Sequence, residues 1–294
     1  MAGDREDRIG AQGKGTLYIV GTPLGNLQDL SPRAAEVLRR ADLIAAEDTR
    51  RVTKLLAHLG FDKPTTSFHS YSSTAKLGHL MERIERGDSI AMVSDAGMPC
   101  LSDPGAELVA AAWDAGARVV PVPGPCAAVA ALAVSGLPAG RFLFAGYPPR
   151  ARGERRRFLG RLVSHPWPTV LYEAPGRVAG LLEDLVLVAG ADRFVVIGRE
   201  LTKLHEEVLR GPAGEIAKQW DAARARGEVT VVVGPGGEEP SKGVPDPKAV
   251  AEWLAREGLA LGRVAAALVQ LCGLDRRRAY ELARAASQSL GGRP

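Results

Sequence analysis

The chain has 294 residues, 46% of them apolar and 24% charged, a balance that suits a folded globular protein with room for two α/β domains and an appendage. The net charge of +4 is small for this length, so charge alone does not mark a nucleic-acid binder. The longest apolar stretches, such as Cys126 to Val134, fall far short of the roughly 20 residues that cross a bilayer, and no membrane span is expected.

Residues 1–14 are polar and glycine-rich with no apolar centre. They read as a disordered tail, neither a secretory signal nor a transit peptide. From Thr16 to Val134, β-rich runs alternate with helical patterns: TLYIVG, a helix from Ser31 to Arg40, DLIAAE, a helix through Leu55, TTSFH, a helix from Ser73, SIAMVS, a helix after Pro104, RVVPV and a helix from Gly124. Such alternation predicts a mainly parallel sheet covered by helices, in a first domain over 15–135. Ser31-Pro32 suits a helix start, because serine caps free N–H groups and proline fits the first turn.

The segment SGLPAG, Ser135 to Gly140, reads as a hinge. A second alternating unit over 140–234 contains RFLFAGY, a basic helix, TVLYEA, a helix from Gly176, RFVVIGR, a segment through His205, a helix after Pro212 and EVTVVVG. It predicts a second α/β domain, both domains facing one cleft. Residues 235–247 are rich in Gly, Pro and charge and read as a linker. A helical module over 248–294 follows, its last two helices resembling a helix-turn-helix with Asp275 capping the second.

The loop GTPLGNLQDLS, Gly21 to Ser31, lets backbone approach a ligand at a sheet edge. It matches neither GxGxxG nor a GKS or GKT phosphate loop, which disfavours nicotinamide enzymes and nucleotide triphosphatases. AEDTRR, Ala46 to Arg51, places acids at a strand end, where they bind metal or hydroxyls or simply cap a helix. SDAGMPCLSDPG, Ser94 to Gly105, holds a tight turn after an apolar strand. VPGPCAAVAAL, Val122 to Leu132, brings small residues into a helix start that could admit an adenosine. GRELTKLHEE, Gly198 to Glu207, lacks the second histidine of the zinc-protease motif. Cys100, Cys126 and Cys272 are an odd number without CxxC spacing, which fits a reducing cytoplasm, and no metal is expected.

Positive charge is concentrated locally. Arg150 to Arg161 (RARGERRRFLGR) holds six arginines and one glutamate, suited to phosphate contacts or to a solvated helix face. Arg276, Arg277 and Arg278 open the last helix, where a nucleic-acid-reading helix meets its target, unless the module is a dimer cap.

The ordered series GTPLGNLQDLS, AEDTR, SDAGMPCLSDPG, PGPCAA, YEAPGR and GRELTKLHEE, within Gly15 to Gly234, resembles the tetrapyrrole-methylase superfamily, in particular its ribosomal branch, the 16S ribosomal RNA cytidine 2'-O-methyltransferases. The resemblance implies two α/β domains with S-adenosylmethionine in the cleft between them, a C-terminal helical module, a homodimer, and methylation of the ribose 2'-oxygen of decoding-centre cytidine 1402 in the small ribosomal subunit. By position it implies cofactor contacts from Leu24, Asp95, Gly97, Met98, Cys126, Ala127, Tyr172, Gly198 and Gly234. Met98 stands where threonine is usual, Cys126 where serine or another small residue is frequent, and Gly176 where histidine is usual.

The activated methyl of such a cofactor leaves the protein chiefly the task of alignment. Asp48, Glu200 and Lys203 are candidates, by location, for removing the hydroxyl proton. Expected RNA contacts are Arg50, Arg150, Arg155, Arg156, Arg157 and Arg276 to Arg278. A tetrapyrrole or corrin methyltransferase and a noncatalytic ribosome-assembly factor remain as rival readings.

Overall fold

The computed structural model describes residues 13–236 and 246–290. Most of the expected tail, the core of the expected linker and the last four residues lie outside the described residues. The chain divides into two compact units, residues 1–236 and 237–294.

The first unit opens with β1 (Thr16–Val20), α1 (Pro32–Arg40), β2 (Leu43–Ala46), α2 (Thr49–His58), β3 (Thr65–Ser67), α3 (Thr74–Glu85), β4 (Ile90–Val93), α4 (Ala106–Asp114), β5 (Arg118–Val122) and α5 (Ala127–Ser135). Side chains of Ser31, Asp48 and Ser73 cap α1, α2 and α3 by accepting from Ala34, Arg50 and Lys76 N–H groups, so local chemistry fixes where these helices begin.

The five strands form a sheet of order β3-β2-β4-β1-β5, and every pairing is parallel. Alternate residues serve opposite faces. Leu17, Leu43, Ile90 and Met92 pack with Leu80, Ile84 and Leu108 on one side, and Val20, Ile44, Ala91 and Val122 with Leu38, Val52 and Leu56 on the other. Parallel strands bring the loops after β1, β2, β4 and β5 to one sheet edge.

The second half contains β6 (Leu143–Phe144), α6 (Arg152–Leu162), β7 (Thr169–Glu173), α7 (Val178–Ala189), β8 (Phe194–Arg199), β9 (Glu207–Pro212), α8 (Ala213–Gln219) and β10 (Val229–Val233). Its sheet order is β6-β7-β10-β8-β9. Only β6 and β7 run parallel; β10 is antiparallel to both β7 and β8, and β8 to β9. One face packs on α6, α7 and α8 through Leu159, Leu181, Leu185, Ile216 and Trp220. The other, through Val170, Val196 and Val232, packs on Ala128, Ala131 and Leu132 of α5. That helix therefore joins the two halves, and its sequence AAVAALAVS carries apolar residues all round.

The segment through His205 leads into a strand absent from the sequence reading. In β9 exposed and half-buried residues alternate, and Glu207 and Arg210 give it the charged look of an edge strand.

The second unit contains α9 (Pro247–Arg256), α10 (Leu261–Cys272) and α11 (Arg276–Leu290). Ala251, Leu254, Val264, Leu268, Ala279 and Ala283 form its core. Gly273 ends α10 in the left-handed conformation, at φ 65°, and Asp275 Oδ1 accepts from Arg278 N–H at 3.0 Å. Among the described residues, no helix is long and apolar enough to cross a membrane.

Candidate active site

The loops at the edge of the first sheet hold one another. Gly21 N–H donates to Val122 O at 3.0 Å, and Thr22 and Gly97 exchange both backbone hydrogen bonds at 2.9 and 3.1 Å. A Cβ on Gly21 would lie 2.6 Å from the Gly124 Cα, so the first loop and the PGP loop touch backbone to backbone. Asp95 ties β4 to α2: Oδ1 accepts from Asp48 N–H at 3.0 Å, and Oδ2 lies 3.3 Å from Arg51 Nε. Across the gap, the Tyr172 hydroxyl accepts from Ala128 N–H at 3.3 Å, fixing the end of β7 to the start of α5.

Between the two halves lies a cleft of about 330 Å3. Leu24, Asp95, Gly97, Met98, Cys126, Ala127 and Tyr172 all line it. Two other residues expected there do not. Gly198 pairs with Thr230 one strand away and lies under Leu201. Gly234 follows the end of β10 remote from the cleft, where its N–H donates to Phe194 O. The resemblance placed Gly234 at the site as a strand end; because β10 runs antiparallel to β7, it is the beginning of β10, Val229 and Thr230, that lines the cleft instead.

The cleft is acidic. Glu47, Asp95, Asp103, Glu173 and Glu228 line it, with Arg51 as the cationic side chain among its described walls. Burial, reinforced by Glu47, pushes the Asp103 carboxyl up to about 6. Burial followed by Asp95 raises Glu47, and burial raises Glu173. Glu173 Oε1 accepts from Ala174 N–H at 2.8 Å. Its buried Oε2 has no hydrogen-bond partner among the described residues, although Arg177 Nη2 lies 3.3 Å away. Desolvated carboxylates with raised proton affinity form a field that favours a bound cation. Sequence reasoning missed Asp103 and Glu173 because their significance comes from burial. Their presence inside SDPG and YEAPGR was the available signal.

A second cavity, also about 330 Å3, shares Leu24, Arg51, Asp95 and Glu228 with the first and is further lined by Asp48, Lys54 and Lys203. Lys203 Nζ lies 3.0 Å from Glu200 Oε1 and 3.1 Å from Glu228 Oε2. The turn that presents it contains Glu200 and Thr202 at positive φ, 50° and 67°, a conformation that non-glycine residues adopt only under surrounding constraint.

The three candidate proton acceptors are held in charged forms. Hydrogen bonds from the Arg50 side chain and backbone bring Asp48 down to about 2. Burial opposes ionisation of Glu200, but Lys203 and the Glu228 N–H outweigh it and its pKa falls. Burial likewise opposes the Lys203 charge, and Glu200 and Glu228 outweigh it. A weak carboxylate base and an ammonium without a lone pair are poorly suited to taking a proton at neutral pH.

Of the basic residues, Arg150, Arg157 and Arg276 to Arg278 are exposed, and Arg50 is exposed but paired to Asp48 at 2.6 Å. Arg155 departs from expectation. It is buried and donates to Asp184 and to Gly180 O, because a guanidinium inside α6 needs a buried carboxylate partner. Arg156 and Arg152 donate to the other Asp184 oxygen at 2.7 and 3.2 Å. Gly176 has open space where a side chain would project, whereas Met98 sulfur packs against Gly21.

Fold and site together define a methylase of the double α/β type. The chain belongs to the tetrapyrrole (corrin/porphyrin) methylase family, whose profile matches residues 16–217. Among curated relatives it is similar to proteins named ribosomal RNA small subunit methyltransferase I. The Xylella fastidiosa protein is 41% identical over 90% of this chain and 98% of the relative, and the Escherichia coli O157:H7 protein 40% identical over 92% and 95%. Solved structures share the fold at lower identity. Uroporphyrin-III C-methyltransferase from Thermus thermophilus gives a TM-score of 0.53 at 22% identity, covering 75% of this chain and 94% of that one. A cobalt precorrin-4 methyltransferase gives 0.58 at 18%, covering 74% and 94%.

Proposed function

We propose that this chain transfers a methyl group from S-adenosylmethionine to the ribose 2'-oxygen of cytidine 1402 in 16S rRNA, acting on the small ribosomal subunit as a cytoplasmic homodimer. The acidic cleft carries this reading, since its carboxylates suit the positively charged sulfonium and amino group of that cofactor. The Thermus uroporphyrin-III enzyme has been crystallised with S-adenosyl homocysteine, in line with the same cofactor class here.

When bound, the cofactor supplies a methyl group already activated by a positive sulfur, so the protein's task is placement. Leu24, Met98 and Ala127 offer an apolar wall, Asp95 fixes Arg51 and the α2 start, and Tyr172 closes the opposite side. The rRNA substrate follows from the names of relatives aligned over nearly their whole length and fits the exposed arginines, whereas a noncatalytic assembly factor gives no reason for the acidic cleft.

The test is methylation of small subunits from a strain lacking the activity, with mass-spectrometric mapping of the product. A modified ribose at the expected cytidine is the predicted result. Calorimetry without any S-adenosylmethionine binding, or a subunit left unmodified, refutes the reading.

A further inference from the structure

We infer that the second cavity is the seat of a single nucleotide swung out of the RNA, and that Lys203 is its positioning residue; the inference rests on the methyltransferase reading above. A group that receives a methyl must lie against the donor, and this cavity shares Leu24, Arg51, Asp95 and Glu228 with the acidic cleft. Its size, about 330 Å3, is that of a small-ligand pocket. Enzymes that modify one nucleotide extrude it from the stack into a close-fitting pocket.

The walls fit such a guest. Thr22, Pro23 and Leu24 come from the β1 loop, Leu27 from the turn after it, and Val52 and Leu55 from α2, giving an apolar lining for a base. Arg51, paired to Asp95, and Lys54 add cations beside the acids Asp48, Asp95 and Glu228, a mixed wall in which Lys54 suits a phosphate.

Lys203 is built into this wall. Its stem rests on Gly25, where a Cβ would lie 2.2 Å from the Lys203 Cγ. Glu200 and Glu228 take its ammonium at 3.0 and 3.1 Å. An ammonium has three donors, so with these two partners one N–H is left for the ribose–phosphate edge of the guest. Because Glu228 also lines the cofactor cleft, the same carboxylate that fixes Lys203 borders both cavities.

Most of the binding energy of a large substrate comes from parts remote from the reacting group, so removing a positioning group lowers kcat more than it raises KM. The experiment measures S-adenosylmethionine affinity by calorimetry and methylation kinetics on unmodified small subunits for wild type, Lys203→Met, Lys203→Arg and Leu27→Trp. Lys203→Met keeps the stem on Gly25, and Leu27→Trp narrows the cavity from its exposed rim. Expected are cofactor affinities within about twofold of wild type, kcat reduced at least about tenfold for Lys203→Met and Leu27→Trp at nearly constant KM, and partial recovery in Lys203→Arg. The inference is overturned if both variants keep kcat within about twofold, or if only KM changes, while cofactor binding stays intact. Absence of cofactor binding in wild type would instead sink the methyltransferase reading itself.

Discussion

Arg155 and Asp184 form a buried ion pair between α6 and α7, with Nη2 2.7 Å from Oδ2 and the carboxylate side chain fully enclosed. An arginine-rich run therefore has two kinds of member, those that hold the helix down and those that face solvent.

Removing Arg155 should act on folding. Arg155→Ala removes one of three arginines that hold the buried Asp184 carboxylate and should destabilise the protein by about 1–3 kcal/mol, against roughly nothing measurable for exposed Arg157→Ala. Chemical denaturation checks it. Asp184 also sets a pH dependence: burial raises its pKa, but hydrogen bonds from Arg156, Arg155 and Arg152 outweigh this and the net shift is downward. Its stabilisation is thus present above the ordinary aspartate range and is lost as pH falls through the depressed folded value. The stability gap between wild type and Asp184→Asn should shrink in acid; a gap independent of pH contradicts the pairing.

Asp103 works in the opposite sense. Burial and Glu47 raise it to about 6, so in the protein without cofactor its contribution to folding is present below the ordinary aspartate value and lost as pH rises through about 6. Its charge in the cleft appears over that same rise. S-adenosylmethionine affinity should weaken several-fold as pH is lowered from about 7.5 to about 5, and Asp103→Asn should flatten the curve. A wild-type affinity indifferent to pH rules this out.

Asp95 lines the cleft and ties the loop after β4 to α2, so Asp95→Ala should weaken cofactor binding by at least about tenfold. Asp95→Asn, which retains an acceptor for the Asp48 N–H, should fall between the two. Calorimetry giving equal affinities for all three proteins would remove Asp95 from the binding site.

The three arginines opening α11 are exposed, two of them sharing Glu281. Replacing Arg276, Arg277 and Arg278 with alanine should lower the logarithmic salt slope of subunit binding by roughly 0.7 to 0.9 for each phosphate no longer neutralised. Cofactor affinity should be unchanged. An intact slope would make these residues a solvated helix face.

The first half of the fold was legible because parallel strands buried on both faces carry unbroken apolar runs, such as LIAA and IAMV. The second half was less so. Strand direction is set by how the chain returns, which a run such as VTVVV does not encode, so the sequence did not tell which end of β10 meets the cleft. β9 escaped notice because an edge strand needs little apolar sequence. At the site, motif residues converged on one cleft, but neither the burial of Asp103 nor the enclosure of Arg155 could be read from residue type, since both depend on neighbours distant in the chain.

The contact between Gly21 and Gly124 bears on which sequences this fold can explore. Each position excludes a side chain because the other's backbone occupies the space, so no change at one can compensate for a change at the other. In a comprehensive substitution library both positions should be intolerant, and no paired replacement should restore function. At this point the two loops are locked to glycine, whereas Gly176, facing open space among the described residues, is at liberty to vary.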